Sequence, residues 1–283
     1  MLDWFENAWA RIWAFISNTV TTTFPLLHVI LLVMAGCIGS ILYEKLKPDY
    51  RTPLLRVCGI LLLLMGASEV WDGFFVLQTG QFETTGTLLV VFALILGYVF
   101  GTALDLERRL GRFGIRMYER FAKAPASKTA AGKEKVLPPK ESAPYGAEGF
   151  VLATLACAFS GSTLCYSIAD ESAEASSLLI KLGFCFLLIL LLSTVYGTNV
   201  TFAAVPTIVV ELIMILSNRL WGDLLTSTLM NQFMLIGGVI LITAGLSLSF
   251  GKKLRAAHFL PAFLIPVVYG LVLVLADKLT ESK

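Results

Sequence analysis

Long apolar runs alternate with short polar or basic segments along most of the chain. The eight runs are approximately 24–42, 54–76, 86–104, 150–168, 178–196, 200–217, 233–250 and 259–276. Each contains about 20 residues, which is enough for a helix to cross a hydrocarbon layer of about 30 Å. The pattern therefore predicts an all-α integral membrane protein with about eight transmembrane helices. Seven spans are also compatible, because only Gly197, Thr198 and Asn199 join the fifth and sixth runs, and the segment 178–217 could form a re-entrant hairpin.

The segments between the runs divide the chain into four predicted parts. Residues 1–20 carry Trp4, Trp9 and Trp13 at near-helical spacing, which predicts an interfacial amphipathic helix. The segment 24–104 is the first membrane half, with three spans. The segment 105–147 begins with an amphipathic helical pattern and continues as a basic linker rich in Ala, Lys, Pro and Ser. The segment 148–277 is the second membrane half, with four to five spans.

Lysine and arginine are concentrated in the loops after the first, third and seventh runs. Short basic loops stay in the cytoplasm, so an eight-span chain would have both termini on the other side of a bacterial inner membrane.

Composition excludes several classes of function. The chain is 57% hydrophobic and 15% charged, with a formal charge of +2, whereas soluble domains average about 45–50% apolar and about 25% charged. The small net charge argues against nucleic-acid binding. The serines lack a nucleophile-elbow context, and no phosphate-binding loop motif occurs. The five cysteines lie in apolar runs without metal-ligand spacing, so no enzyme activity, cofactor or metal is predicted.

The fourth run contains hydroxylated residues around a glycine near its middle: Ser160, Gly161, Ser162 and Thr163. Transporters use broken helices to direct backbone groups at a substrate or ion near the bilayer midplane. We therefore predict a broken fourth helix with a substrate- or ion-binding site at these residues. The alternative is a continuous helix whose hydroxyl groups bond to its own carbonyls.

Charged residues complete the candidate site. Glu211 lies inside the sixth run, where an ionisable group is costly and often functional, and we predict it to be the coupling carboxylate. A neutral, hydrogen-bonded Glu211 is the alternative. Asn199 joins the binding set, while Glu69, Asp170 and Lys181 are predicted outer-gate charges near water, where ordinary interfacial charge is the alternative. His28 and His258 are expected near opposite faces of the membrane.

Several apolar runs contain small residues at spacings that allow helices to pack closely. Examples are Gly36 with Ser40, Gly97 with Gly101, and Gly237 beside Gly238. Such pairs allow close approach of helices, either within one subunit or at the interface of a homodimer. The segments 94–110 and 241–258 also share a glycine-containing apolar pattern with a basic end, which suggests an internal repeat.

Several passages resemble the bacterial multi-span membrane proteins of the domain of unknown function 554 family, which includes YdfK-like and YqgA-like proteins. These are GCIGSILYEKLK (36–47), VCGILLLLMGASE (57–69), LGYVFGTALDLERRLGRFG (96–114), EGFVLATLACAFSGS (148–162), SSLLIK (176–181) and GGVILITAGLSL with LPAFL (237–264). The chain is a divergent member, since a glutamine usual in the family is matched by Glu211 and a cysteine by Ser160. The resemblance implies a compact multi-span fold and a suspected transport role.

Together, these features predict a small secondary transporter or permease for a small solute or ion. Its partners would be the lipid bilayer and that solute or ion, without nucleic acid. A membrane subunit with an assembly, scaffold or sensory role is the alternative.

Overall fold

A computed structural model describes the chain except residues 1, 75, 79–80, 84–86, 123–138, 167–174, 221–225, 252–253 and 282–283. Side chains are described within 24–47, 49–74, 87–120, 146–165, 178–220, 226–251 and 254–272.

The described chain is predominantly helical. The helices are α1 (Leu2–Lys45), α2 (Arg51–Phe74), α3 (Thr87–Ala103), α4 (Leu106–Ala122), α5 (Pro139–Ala158), α6 (Gly161–Tyr166), α7 (Ala175–Tyr196), α8 (Ala204–Leu220), α9 (Ser227–Phe250) and α10 (Leu264–Glu281). Short 3-10 segments cover Pro48–Tyr50, Thr198–Ala203 and Ala256–Phe263. Strands β1 (Val76–Gln78) and β2 (Gln81–Glu83) pair antiparallel between α2 and α3. The backbone of α1 is continuous across the predicted boundary between residues 1–20 and the first span.

The all-α membrane class is confirmed, but eight full-length spans are not. Within the described residues, five helical segments are long and apolar enough to cross a membrane: Phe24–Lys45, Arg51–Phe74, Leu178–Tyr196, Thr198–Leu220 and Ser227–Phe250. A sixth results if α3 and α4, which meet at a bend of 59°, form one span. The fourth and eighth runs fall in the shorter apolar helices Gly146–Ala158 and Ala256–Val272. The segment 178–217 forms two helices, each long enough to span.

Apolar side chains cover the outside of the helices, as expected for contact with lipid. In α3 the buried positions recur every three or four residues, at Val90, Ala93, Gly97 and Gly101. The residues between them are exposed and equally apolar, such as Leu88 and Phe92. A helix that is apolar on all sides is typical of a membrane span.

Helices α2 and α9 pack with their backbones nearly in contact. Gly59, Gly66 and Gly73 are seven residues apart on α2. A Cβ atom added to them would lie 2.9, 2.7 and 2.6 Å from the carbonyl oxygens of Gly245, Gly238 and Asn231, which are also seven residues apart. A seven-residue spacing keeps one seam in register along two packed helices. Small residues therefore fix this antiparallel pair.

The other predicted small-residue positions also contact helices of the same chain. Gly36 lies against Thr201, while Gly97 and Gly101 lie against the 3-10 segment that contains His258 and Ala262. Because these faces are filled within one chain, a homodimer would need a different surface. The homodimer and the internal repeat stay predictions.

Candidate functional site

The fourth apolar run is interrupted where the sequence predicts a break. Helix α5 ends at Ala158, Phe159 and Ser160 are not helical, and α6 begins at Gly161. The break leaves the first amide N–H groups of α6 without partners inside that helix, and such groups must be satisfied within the protein at membrane depth. The prediction of a broken fourth helix is thus confirmed.

The partner of these groups is the carboxylate of Glu69, from the last turns of α2. Its Oε2 accepts a hydrogen bond from the Gly161 amide at 3.0 Å, and its Oε1 accepts from the Ser162 amide at 3.2 Å. The hydroxyl groups of Ser162, at 2.5 Å, and Ser160 also donate to Oε1. The two serine Oγ atoms lie 2.7 Å apart. Four donors from one break therefore surround one carboxylate.

The environment of Glu69 corrects the expectation from sequence. We predicted an outer-gate charge near water, but Glu69 is only 1% exposed. The reason is that α2 packs along α9 and turns this residue inward, toward the break. Charge-assisted hydrogen bonds of this kind are stronger than neutral ones, and they offset the cost of burying the carboxylate.

Helix α9 has a glycine opposite the break. A Cβ atom added to Gly161 would lie 2.5 Å from the carbonyl oxygen of Phe233, and one added to Gly237 would lie 2.6 Å from the Gly161 Cα. Both glycines are therefore needed for α9 to approach the interrupted backbone this closely.

A second buried cluster contains Glu211, the predicted coupling carboxylate. Glu211 is 2% exposed, and its Oε1 lies 2.6 Å from the Nδ1 of His28. The Nε2 of His28 lies 3.3 Å from the Sγ of Cys185, which lies 3.1 Å from the Sγ of Cys157. His28 is therefore buried inside the protein, although it lies in the second turn of the candidate span Phe24–Lys45, and its predicted place near one membrane face stays a prediction.

Two cavities lie on opposite sides of the break. One has a volume of about 530 Å³ and opens at the face that carries Asp105, Arg108 and Arg255. It follows α5 inward as far as Leu155. The other has a volume of only about 10 Å³, enough for about one water molecule, and is lined by Phe24, His28, Met65, Ser160, Ser162, Thr163, Lys181, Leu182 and Cys185. Only the stretch between Leu155 and Ser160, roughly 7–8 Å of helix, separates them along this element.

The remaining predicted residues lie in different places. Lys181 borders the small cavity, with its Nζ 3.9 Å from Oδ2 of Asp72. Asp170 lies outside the described residues. Asn199 lies against Gly146 on α5, about 20 Å of helix from the break, so the structure does not bring it into the same site.

Sequence reasoning missed the partners of both carboxylates. Cys157 and Cys185 lie in different runs, and neither forms a recognisable motif with His28. Only the residue types could have indicated these contacts, because a histidine and a glutamate inside apolar runs each need a polar partner at membrane depth.

Comparisons with known proteins agree with the membrane fold. A family described as "Protein of unknown function (DUF554)" matches residues 24–271. The chain is similar to the uncharacterized membrane protein YdfK of Bacillus subtilis (strain 168), with 19% identity over 246 residues, which is 85% of this chain and 92% of the relative. No solved structure matches.

Proposed function

The chain belongs to the membrane-protein family described as protein of unknown function (DUF554), and we propose that it is a small secondary transporter or permease for a small solute or ion. We place it in the bacterial inner membrane, with the basic loops in the cytoplasm. The rival is a non-transporting membrane subunit whose buried polar groups only hold helices together.

The observation that carries the proposal is the position of the broken helix between two cavities. An alternating-access transporter needs a binding site near the midplane and a thin barrier that can move from one side of it to the other. The large cavity ends at Leu155, and the small cavity includes Ser160, Ser162 and Thr163. Along this element, the short segment that separates the two cavities therefore contains the break. A subunit with a purely structural role has no need for this coincidence.

We assign the coupling role to Glu69. A proton or cation that binds this carboxylate competes with the four donors at the break, so it weakens the connection between α2 and α6. Binding is thereby linked to movement of the half-helix, since a ligand shifts a conformational equilibrium only if it binds the two states differently. When the small cavity widens, Ser160, Ser162 and Thr163 would contact the solute or ion from it.

Glu211 has a different role in this proposal from the one predicted by sequence. Its carboxylate is paired with His28 and stands apart from the donors at the break. The pair Asp72 and Lys181, of which Lys181 lines the small cavity, is the outer gate that we propose in place of Glu69.

Uptake by proteoliposomes tests the proposal. The wild-type chain would be reconstituted and offered radiolabelled sodium, potassium, chloride, small carboxylates and amino acids under imposed ion gradients. We expect uptake of at least one probe above that of empty liposomes, and its loss or uncoupling from the gradient in Glu69→Gln. Glu119→Gln is the matched control, because it makes the same chemical change at an exposed position of α4, and it should transport like wild type.

Equal uptake by wild-type, Glu69→Gln and empty liposomes for every probe would contradict the proposal and favour the non-transporting subunit.

A further inference from the structure

Four buried side chains from four helices form a chain of contacts that the proposed transport mechanism does not use. Glu211 on α8 contacts His28 on α1, His28 contacts Cys185 on α7, and Cys185 contacts Cys157 on α5. All four residues are more than nine-tenths buried. A buried cysteine alone is an ordinary packing residue, but two thiols that contact an imidazole held by a carboxylate are a set of metal-binding groups.

The hydrogen bond from His28 to Glu211 determines which imidazole nitrogen is available. With Glu211 ionised, its carboxylate only accepts hydrogen bonds, so Nδ1 of His28, 2.6 Å away, would carry the proton. In the neutral imidazole the Nε2 lone pair then points at the thiols. Histidines that bind metals usually have this arrangement, with a carboxylate holding the other ring nitrogen.

The spacing of the donor atoms fits one metal ion. Nε2 of His28 and the Sγ atoms of Cys157 and Cys185 all lie within 4.8 Å of one another. Bond lengths of about 2.3 Å to sulfur and about 2.0–2.1 Å to nitrogen give donor separations of roughly 3.5–4.0 Å around a shared ion. The observed separations of 3.1 and 3.3 Å need to open by less than about 1 Å. Small side-chain rotations supply a change of that size.

We propose that His28, Cys157 and Cys185 bind one thiophilic d10 metal ion, Zn²⁺ or Cu⁺, with Glu211 positioning His28. Two thiolates and an imidazole are the ligands that these ions prefer, whereas hard cations such as Mg²⁺ and Ca²⁺ prefer oxygen. The site lies outside any spacing motif, which explains why the sequence predicts no metal. The proposal concerns binding alone and is independent of transport.

The small cavity borders this site. His28 and Cys185 are part of its lining, together with Met65, whose thioether is also a soft donor. The cavity has room for about one water molecule, so the side chains around it would have to move for a metal ion to enter.

Metal binding by the purified, reduced full-length chain tests the proposal. The metal-free protein would be titrated anaerobically with Zn²⁺, and separately with Cu⁺ against a coloured chelator, and bound metal would be counted by mass spectrometry. We expect one ion per chain, with affinity reduced more than about 100-fold in Cys157→Ser and in Cys185→Ser, and about 10–100-fold in Glu211→Gln. Cys58→Ser is the matched control, because Cys58 is equally buried but belongs to no such cluster among the described residues, and it should bind like wild type.

X-ray absorption at the metal edge of the wild-type complex provides a readout that does not depend on how the variants fold. The proposal predicts sulfur neighbours at about 2.3 Å and an imidazole nitrogen at about 2.0 Å. A ligand shell without sulfur, or unchanged affinity in Cys157→Ser, would overturn it. A Cys157–Cys185 disulfide that persists under reduction and excludes metal would do so as well.

Discussion

At the scale of single residues, the break in the fourth run and the carboxylate of Glu69 satisfy each other. Either feature alone would be costly in a membrane, since unpaired amides and an unpaired charge both lose their hydration there. The sequence around Ser160, Gly161 and Ser162 predicts the break correctly. It does not reveal the partner, because Glu69 lies near the end of its run beside Trp71 and Asp72, where a charge normally faces water.

Removing the Glu69 carboxylate should destabilise the protein strongly. Glu69→Ala leaves two amides and two hydroxyls buried without their acceptor, and each unpaired group costs about 1–3 kcal/mol. We expect a loss of at least about 3 kcal/mol in the free energy of unfolding, measured by thermal or denaturant unfolding in detergent micelles. Glu69→Gln keeps one acceptor oxygen and should lose less.

Asp72→Ala is the matched control, because Asp72 lies on the same helix and its side chain is 47% exposed. If Glu69→Ala and Asp72→Ala unfold at the same point, the carboxylate does not hold the break.

At the scale of helices, the apolar runs predict most elements well, because span length and hydropathy are local properties. They do not predict the fourth and eighth runs as full spans, because the structure divides the fourth between α5 and α6 and the eighth between the 3-10 segment Ala256–Phe263 and α10. The pairing of α2 with α9 was also missed, although both carry glycines at seven-residue spacing. Packing between distant segments decides which helix pairs with which, and the sequence of one apolar run does not predict this pairing.

A methyl group on the α2 seam should separate these helices. In Gly66→Ala the new Cβ would meet the carbonyl oxygen of Gly238 at 2.7 Å and the amide of Ile242 at 2.8 Å. Overpacking of this kind costs about 1–3 kcal/mol, which unfolding measurements in micelles can resolve. Gly183→Ala on α7 is the control, because nothing lies within 4 Å of its added Cβ, and it should be neutral or slightly stabilising.

An unchanged stability of Gly66→Ala would mean that the backbones of α2 and α9 do not approach as closely as described.

At the scale of the whole molecule, the two cavities and the break between them define the proposed transport path. The sequence predicts the half-helix, and the basic loops predict which face is cytoplasmic. The sequence does not predict the cavities, because they form where elements from both halves of the chain pack incompletely against each other. The large cavity involves residues as distant as Asp105 and Ala256. Its position could not have been read from any one segment.

Accessibility of two engineered cysteines measures this arrangement most directly. In a variant whose five native cysteines are replaced, Ser247→Cys would report on the large cavity and Thr163→Cys on the small one. Ala156→Cys, fully buried on α5 between them, is the control that should not react. Membrane-impermeant thiol reagents would be applied to intact cells and to inverted vesicles.

We predict that Ser247→Cys reacts only in inverted vesicles, from the cytoplasmic face, and that Thr163→Cys reacts from the outside of intact cells. Labelling of both positions from the same face would contradict a path with a closed break at its centre. Failure of Thr163→Cys to react from either face would contradict it too, and would indicate the dry, packed interior of a non-transporting subunit.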